Sequence, residues 1–285
     1  MLKITFFILT VYSLCVGQAQ AWGRSGHQIT GHIAEQLLTN EARIRLNTII
    51  PAADLAEVAV WMDEERLPLM RSIRGSNKWH YINLPICNQK ERNDLCSQGD
   101  CITARIEQYR RVLSSPISSV AEKIFAVRVL VHLIGDLHQP LHVADNYDRG
   151  GNDVLIGRTR NNLHSQWDTG FVQKITRGRN LREVSLLLLE KHRPQIEEWN
   201  SGTHTDWALE SKHLARSFVY AALPDFSCNN SLKVIDQLPA EYVDRAKSVV
   251  ELRLVMAAVR VAHVLNAAFK DSSLGAAIMI DLGKR

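Results

Sequence analysis

Features that would place this 285-residue chain in several common classes are missing from it. The chain has little excess charge of either sign, because lysine and arginine exceed aspartate and glutamate by only four. A protein that coats nucleic acid is therefore not expected, and any contact with a polyanion must be local. After residue 21, no apolar run is long enough to anchor the chain in a membrane. Linkers rich in proline, glycine or serine, internal repeats and low-complexity tracts are also missing, which favours one domain.

Cysteine is sparse as well, with five residues in the whole chain. No C-x-x-C pair occurs among them, so two disulfides are favoured over a zinc knuckle if the protein is exported. Three connectivities are then possible, since Cys15 lies in the N-terminal leader and four cysteines remain: Cys87, Cys96, Cys101 and Cys228. A glycosylation sequon begins at Asn229, which is a weak signal by itself.

The first 21 residues have the pattern of a cleaved signal peptide. Lys3 is followed by the apolar run ITFFILTVYSLCVG and then by Ala19-Gln20-Ala21, an Ala-x-Ala cleavage signal. The apolar run is shorter than the roughly 18 residues that span a bilayer. A buried N-terminal helix is the alternative. We expect residues 1–21 to be removed, a mature domain over residues 22–285, and a soluble exported protein in a secreted or periplasmic location.

Apolar residues recur at helical spacing through most of the chain, which predicts an all-α fold. Thr39-Asn40 is expected to cap the second helix. The segment 119–140 is apolar on most of its surface and is stopped by Pro140, so it predicts a buried central helix. The strand candidates are short: HYIN at 80–83 and DVLIG at 153–157. Helices are expected within 27–38, 41–50, 54–67, 102–113, 119–140, 180–192, 206–223 and 240–269.

Two histidine–aspartate pairs share one spacing. His132 and Asp136 lie four residues apart on the central helix, and His164 and Asp168 repeat the pattern. In a helix, this spacing puts both side chains on one face. An unpaired carboxylate in an apolar helix costs several kcal/mol on an order-of-magnitude scale. An arginine or a capping role could relieve that cost, but the repetition favours a metal ion.

Further candidate ligands lie near these pairs in the sequence. His142 follows the first pair, whereas His80 and Asp63 could instead be a hydrogen-bonded core histidine and an exposed acid. His138 is expected to have a structural or supporting role. Histidines and aspartates without free thiols suit Zn²⁺ best, and such a cluster supports hydrolysis. The remaining histidines lack acidic partners at ligand spacing and are expected on the surface or in packing: His32, His192, His204, His213 and His263.

Six short segments occur in a characteristic order: WGRSGH, WMDEER, KWHYIN, HLIGDLHQPLH, DRGGND and NLHSQWD. Together they resemble the zinc-dependent class I nucleases, the S1/P1 family of single-strand-specific nucleases and 3′-nucleotidases. The resemblance extends over essentially the whole mature chain. It implies a mostly helical phospholipase C/nuclease-type domain around a buried cluster of three zinc ions, with short strands and disulfide-linked loops.

The resemblance also implies a ligand set for each zinc ion. Asp136 would be shared between the first and third ions, and the α-amine and carbonyl of Trp22 would complete the third site. Cleavage after Ala21 would then couple export to activation. The first ion would be held by Asp63, His80, His132 and Asp136, the second by His142, His164 and Asp168, and the third by Trp22, His27 and Asp136.

Catalytic and substrate-binding roles are carried over in the same way. Asp63 would orient the attacking water, and Arg66 would stabilise the charge that develops on the phosphate. Tyr81 would stack on a base, an interaction worth roughly 1–3 kcal/mol with any base. Asn83 leaves base preference open, since an amide both donates and accepts hydrogen bonds. Asn152 is expected to have only a supporting role in its loop.

The function implied is hydrolysis of single-stranded DNA and RNA to 5′-nucleotides, together with removal of phosphate from 3′-mononucleotides. We expect a monomer without a membrane anchor. A zinc phospholipase C of related architecture is the alternative enzyme, although Arg66, Tyr81 and Asn83 suit nucleotides better than choline lipids. A non-enzymatic protein that sequesters zinc or binds nucleic acid is a further alternative.

Overall fold

Helices make up nearly all the regular structure of the computed structural model. It describes residues 22–87, 96, 99–157, 159, 161–228 and 232–271. The leader at 1–21 and the sequon at 229–231 lie outside these residues. Within the described ranges the α-helices are α1 (Arg24–Leu37), α2 (Asn40–Ile49), α3 (Leu55–Glu64), α4 (Arg66–Ser72), α5 (Ile102–Ser114), α6 (Val120–Leu137), α7 (Leu163–Ser165), α8 (Phe171–Thr176), α9 (Leu181–Lys191), α10 (Ile196–Trp199), α11 (His204–Leu214) and α12 (Ala240–Asp271).

Helix α6 is the centre of the fold, as its apolar sequence predicts. The Ser119 side chain accepts a hydrogen bond from the Glu122 N–H, and the Glu122 carboxylate accepts one from the Ser119 N–H. This capping box starts the helix. From Val129 to Leu137 every residue is buried. Helices α3, α5 and α12 pack around α6, so polar side chains on it face the protein interior.

The expectation of one helix over 54–67 is wrong, because the structure has two. Helix α3 ends at Glu64, and α4 begins at Arg66. Pro68 is the reason: in a continuous helix its ring would clash with the carbonyl of residue 64, and it has no N–H to donate. The break at Glu65 separates Asp63 from Arg66 and starts a new helix at the arginine.

The strands are short, and one lies beside its predicted segment. Strand β1 is Leu84–Pro85, directly after the HYIN segment, and it pairs in parallel with β2 at Ala144–Asp145. The second prediction is confirmed, since β3 at Leu155–Ile156 lies within DVLIG and pairs in parallel with β4 at Val234–Ile235. Two-residue strands such as β2 and β4 are too short to show an alternating pattern.

Two disulfides are present, which confirms the disulfide prediction and selects one of the three connectivities. Cys87 is bonded to Cys228, and Cys96 is bonded to Cys101. The first bond joins the segment after β1 to the segment before β4 across a separation of 141 residues. Such bonds are typical of proteins in an oxidising compartment. Among the described helices, none combines the length and apolar character needed to span a membrane.

Close packing of α1 against α3 brings their functional residues together. A Cβ atom on Gly31 would lie 2.3 Å from the Leu55 carbonyl oxygen and 2.6 Å from the Ala56 Cα. The two helices are antiparallel, so His27 lies near Asp63 while Gly31 contacts the start of α3. Only glycine permits this approach.

Replacing Gly31 with alanine should therefore destabilise the protein. We expect Gly31→Ala to lower the free energy of unfolding by about 1–3 kcal/mol, the usual cost of overpacking. Elsewhere in a helix the same change would raise it by about 0.5–1 kcal/mol. Urea titration would measure the difference. Gln36→Ala on the exposed side of α1 is the control and should stay within about 0.5 kcal/mol of wild type. Equal stability of Gly31→Ala and wild type would contradict the packing argument.

Candidate metal centre

Eight histidine and aspartate side chains from distant parts of the sequence converge inside the molecule. Helix α1 supplies one, the end of α3 another, and α6 two. The others come from the segment before β1, the 3₁₀ turn Pro140–His142, helix α7 and the π-helix Gln166–Gly170 that follows it. All except Asp63 are at most 5% exposed. The eight are His27, Asp63, His80, His132, Asp136, His142, His164 and Asp168.

The first group combines Asp63, His80, His132 and Asp136. His80 Nδ1 lies 3.0 Å from Asp136 Oδ2 and 3.1 Å from His132 Nε2. His132 Nε2 lies 3.3 Å from Asp136 Oδ2 and 3.8 Å from Asp63 Oδ1. His80, His132 and Asp136 therefore converge on one point, and Asp63 joins the cluster through His132, on the side where His27 also lies.

The second group combines His142, His164 and Asp168. The two imidazole Nε2 atoms are 3.1 Å apart. Asp168 Oδ2 lies 3.3 Å from His164 Nε2, and its Oδ1 lies 3.7 Å from His142 Nε2. The π-helix carries Asp168, and π-helical turns are frequent at functional sites.

Asp136 also contacts a third position. Its Oδ1 lies 3.1 Å from His27 Nε2, but the two atoms do not have hydrogen-bond geometry. The His27 ring stacks on His132 with centroids 4.1 Å apart. Trp22 is fully buried, and its indole Cδ1 lies 3.9 Å from where a Cβ on Gly135 would stand. The start of the described chain therefore lies beside Gly135, the residue before Asp136.

Backbone carbonyls determine which nitrogen of three rings carries the proton. A carbonyl oxygen only accepts hydrogen bonds, so the Nδ1 atom that faces it must donate. In a neutral ring, Nε2 is then an acceptor with a free lone pair. The pairs are His132 Nδ1 with the Ala59 oxygen at 2.6 Å, His142 Nδ1 with the His80 oxygen at 2.7 Å, and His164 Nδ1 with the Gly150 oxygen at 2.6 Å.

The facing lone pairs require a positive charge between them. Neutral His142 and His164 would each present an acceptor to the other at 3.1 Å, with the Asp168 carboxylate beside both. Only a proton or a metal ion can relieve this repulsion. Three carboxylate oxygens are also buried without a hydrogen-bond donor, so a cation would stabilise them too. They are Asp63 Oδ1, Asp136 Oδ1 and Asp168 Oδ2.

The donor set fits zinc in both chemistry and spacing. Imidazole nitrogens and carboxylate oxygens bind Zn²⁺ at about 2.0–2.2 Å, so tetrahedral ligands lie roughly 3.3 Å from one another. Among His80, His132 and Asp136, and within the second group, the separations range from 3.0 to 3.7 Å. The described residues therefore form pockets of the right size for that ion.

Burial and charge act on the pKa values of this cluster in opposite directions. Burial lowers the pKa of His27, His80 and His164, which favours the neutral form that a metal binds. For His132 burial also acts to lower the pKa, but the charges of Asp136 and Asp63 outweigh it and raise the pKa to about 9. Burial acts to raise the pKa of Asp136, but His132 and the other histidines bring it well below the ordinary value. A cation at this point would replace the His132 proton.

Comparison with known proteins agrees with this donor set. The family model described as S1/P1 nuclease matches residues 22–270. The chain belongs to the S1/P1 nuclease family. Nuclease P1 of Penicillium citrinum is 30% identical over 275 residues, which cover 86% of this chain and 97% of that protein. Endonuclease 2 of Arabidopsis thaliana is 26% identical over 295 residues, and the match covers 94% of this chain and 98% of that protein. Nuclease S1 of Aspergillus oryzae is 28% identical over 265 residues, and the match covers 86% of this chain and 91% of that protein.

In this S1/P1 nuclease, Gln139 positions the second group. This residue was not identified from the sequence. Its Nε2 donates to Asp168 Oδ1 at 2.5 Å, and its Oε1 accepts from the Leu141 N–H at 2.7 Å. Gln139 is fully buried between α6 and the turn that carries His142. Its position between two histidines in the motif HLIGDLHQPLH is the signal that could have identified it.

His138 points away from the cluster, in agreement with its predicted structural role. Its Nδ1 donates to the Ile134 oxygen at 2.7 Å, and its Nε2 accepts from Arg260 Nη1 at 2.9 Å. Arg260 is held in turn by both carboxylate oxygens of Glu210. This network attaches the end of α6 to α11 and α12.

The predicted substrate residues are more exposed than the residues of the cluster. Tyr81 follows His80 directly and is 37% exposed, and Asn83 is also exposed. Arg66 is partly buried at the first position of α4. Asn152 donates to the Arg149 carbonyl at 2.8 Å, so it supports its loop.

The expectation that His32 lacks acidic partners is wrong. His32, Glu35 and Asp54 bring ligand-type atoms within 4.8 Å of one another on the outer side of α1. Asp54 is the N-cap residue of α3, so spacing along the chain cannot show that it lies near His32. Arg43 lies 4.0 Å from Glu35, and Arg182 lies 3.9 Å from Asp54. These arginines already offset the two carboxylates.

Loss of the Gln139 contact should weaken the second metal group. We expect Gln139→Met to lower Zn²⁺ affinity by about 10–100-fold, because outer-shell hydrogen bonds orient the ligating carboxylate. Competition with a chromophoric chelator would measure it. Gln173→Met on the exposed face of α8 is the control and should bind like wild type. Unchanged affinity in Gln139→Met would show that Asp168 needs no such support.

Proposed function

We propose that this chain is an exported zinc-dependent nuclease. It cleaves single-stranded DNA and RNA to 5′-nucleotides and removes phosphate from 3′-mononucleotides. The observation that carries the proposal is the opposition of His142 Nε2 and His164 Nε2 beside Asp168, within a member of a nuclease family. Such a buried set of acceptors is suited to a cation that acts on phosphate esters.

Three zinc ions would be held by this cluster. When bound, they lower the pKa of water and neutralise charge on the phosphate. Asp136 would be shared by two ions, in keeping with its separate contacts to His80 and His27. The first ion would be held by Asp63, His80, His132 and Asp136, the second by His142, His164 and Asp168, and the third by His27, Asp136 and the α-amine and carbonyl of Trp22.

Asp63 and Arg66 act on the reacting groups. Asp63 is at the end of α3, and its side chain is 7% exposed with an unpaired Oδ1, so one carboxylate oxygen can orient the attacking water. Arg66 begins the next helix and donates to phosphate oxygens, where a guanidinium gives charge-assisted hydrogen bonds. Both groups stabilise charge that develops during phosphoryl transfer.

Tyr81 and Asn83 bind the base next to the scissile phosphate. The exposed Tyr81 ring stacks on any base, while the Asn83 amide offers both a donor and an acceptor to a base edge. In a duplex, each base face is covered by its neighbours in the stack. A site of this kind therefore favours single strands.

Export would complete the metal centre. Removal of residues 1–21 creates the free α-amine of Trp22. This residue is buried, and its ring lies near Gly135, so the amine would be available to the third ion. The two disulfides suit the secreted or periplasmic location that this requires. We propose that the mature protein acts as a monomer.

Metal content and substrate range test the proposal together. Protein that begins at Trp22 should contain three zinc ions by elemental mass spectrometry, and protein with one extra residue before Trp22 should contain two. The mature form should cleave single-stranded DNA and RNA, lose activity on chelation, and regain it with Zn²⁺. Faster hydrolysis of phosphatidylcholine than of single strands would instead indicate a phospholipase C. Zinc and nucleic-acid binding without turnover would indicate a binding protein.

Substitution of Tyr81 tests base stacking separately from metal binding. We expect Tyr81→Ala to raise the KM for single-stranded DNA by roughly tenfold, because stacking is worth about 1–3 kcal/mol. Zinc content should not change. Tyr81→Phe keeps the ring and should behave like wild type. Loss of zinc in Tyr81→Ala would assign the residue to the support of His80 instead.

A further inference from the structure

We propose that a basic groove outside the metal centre binds the phosphates of the nucleic-acid substrate. Five cationic side chains from α8, the turn after it, α9 and α12 line the groove: Lys174, Arg177, Arg179, Lys191 and Lys247. Its volume of about 540 Å³ is within the range of ligand-binding sites. The inference rests on the proposed function, which supplies the polyanion.

The groove carries most of the chain's excess charge. Two carboxylates, Asp244 and Glu251, also line it, so three positive charges remain unbalanced. The formal net charge of the whole sequence is +4. Outside this groove, positive and negative side chains are close to balance. A nearly neutral protein can bind a polyanion only locally, and this groove is the place where the charge is available.

Two of the five cations are available to a ligand. Lys191 pairs with Glu251, Lys247 pairs with Asp244 at 2.7 Å, and Arg179 donates to the carbonyls of Ile175 and Thr176. In the described part of the chain, neither Lys174 nor Arg177 has an ion-pair or hydrogen-bond partner for its side chain. Both side chains are exposed.

Arg177 occupies an unfavourable backbone conformation. Its φ of 50° puts it in the left-handed region at the C-terminal cap of α8, where glycine or asparagine is usual. Any residue with a Cβ atom is strained there. An arginine at this position accords with a use for its charge.

The lining favours phosphates over bases. Among the described lining residues Ile175 is apolar and none is aromatic, so there is no ring for a base to stack on. Cationic side chains without aromatic partners bind the backbone of a strand regardless of its sequence. The groove therefore suits a sequence-independent contact with a phosphodiester chain.

The groove is separate from the metal centre but belongs to the same segment of chain. Lys174 follows Asp168 by six residues, which corresponds to roughly 9 Å along a helical axis. A dinucleotide has a single phosphodiester group, so no phosphate is left for the groove when that group is at the metal centre, whereas a long strand has phosphates for both. Substrate length consequently distinguishes the two sites.

The test removes the two unpaired cations and compares substrates of different length. We expect Lys174→Gln combined with Arg177→Asn to raise the KM for a 40-nucleotide single strand by roughly 25-fold at 0.1 M salt. The salt dependence should fall by about 1.4 in its logarithmic slope, since single strands contribute about 0.7 per phosphate contact. The kcat/KM for a dinucleotide should not change. Asparagine suits the left-handed conformation, so this variant should fold at least as well as wild type.

Two further variants complete the experiment. Lys212→Gln with Arg216→Gln removes two cations from α11 and from the π-helix Ala215–Tyr220 that follows it, and should leave both substrates unaffected. Asp244→Asn frees Lys247 and should lower the KM for the long strand by roughly fivefold, a gain that a misfolded protein cannot produce.

The outcomes separate this inference from the proposed function. If wild type cleaves neither substrate, the proposed function fails. If wild type cleaves both and the groove variants leave the KM for the long strand unchanged, the inference is wrong. It is also wrong if the groove variants lose binding to vesicles of phosphatidylcholine and phosphatidylserine while the KM for the strand is unaffected, which would make the groove a lipid contact.

Discussion

The constraint on which this structure depends is the repulsion among buried hydrogen-bond acceptors. These are histidine Nε2 atoms, whose rings already donate their only N–H through Nδ1, and the carboxylate oxygens beside them. His132, His142 and His164 each donate Nδ1–H to a backbone carbonyl, so their Nε2 lone pairs point at carboxylates or at each other. Such an arrangement is unstable in a dry interior without a central positive charge. The fold supplies the acceptors, and a bound cation would supply the charge.

The surrounding helices hold this repulsive set in place. Helix α6 is buried along the turns that carry His132 and Asp136, so neither side chain can escape to solvent. Gly31 lets α1 approach α3 closely enough for His27 and Asp63 to reach the same cluster. Gln139 and the loop carbonyl of Gly150 fix the second group from outside. Rigid support of this kind means that the ligands do not need to be ordered when the metal binds.

Charge is divided between two regions with different tasks. The buried cluster concentrates negative charge and acceptors for a cation, whereas the groove formed by α8, α9 and α12 concentrates positive charge for a polyanion. Each is local, so the chain as a whole remains close to neutral. A nuclease built in this way can hold a long strand without attracting every polyanion over its entire surface.

The sequence by itself determined the helical class, the buried central helix, the histidine–aspartate pair of α6, the second pair on α7 and the π-helix after it, and the presence of disulfides. These properties follow from periodicity and composition within short segments, which local physics controls. Pro68 also carried the signal for the break between α3 and α4, although the continuous apolar pattern obscured it. Only the tertiary structure decided the disulfide connectivity, the contact of Gln139 with Asp168, the acidic neighbours of His32 and the basic groove. Apart from the Cys96–Cys101 bond and the neighbours His32 and Glu35, these contacts join residues that are far apart in the chain, and their distance in space depends on how helices pack rather than on their spacing in the sequence.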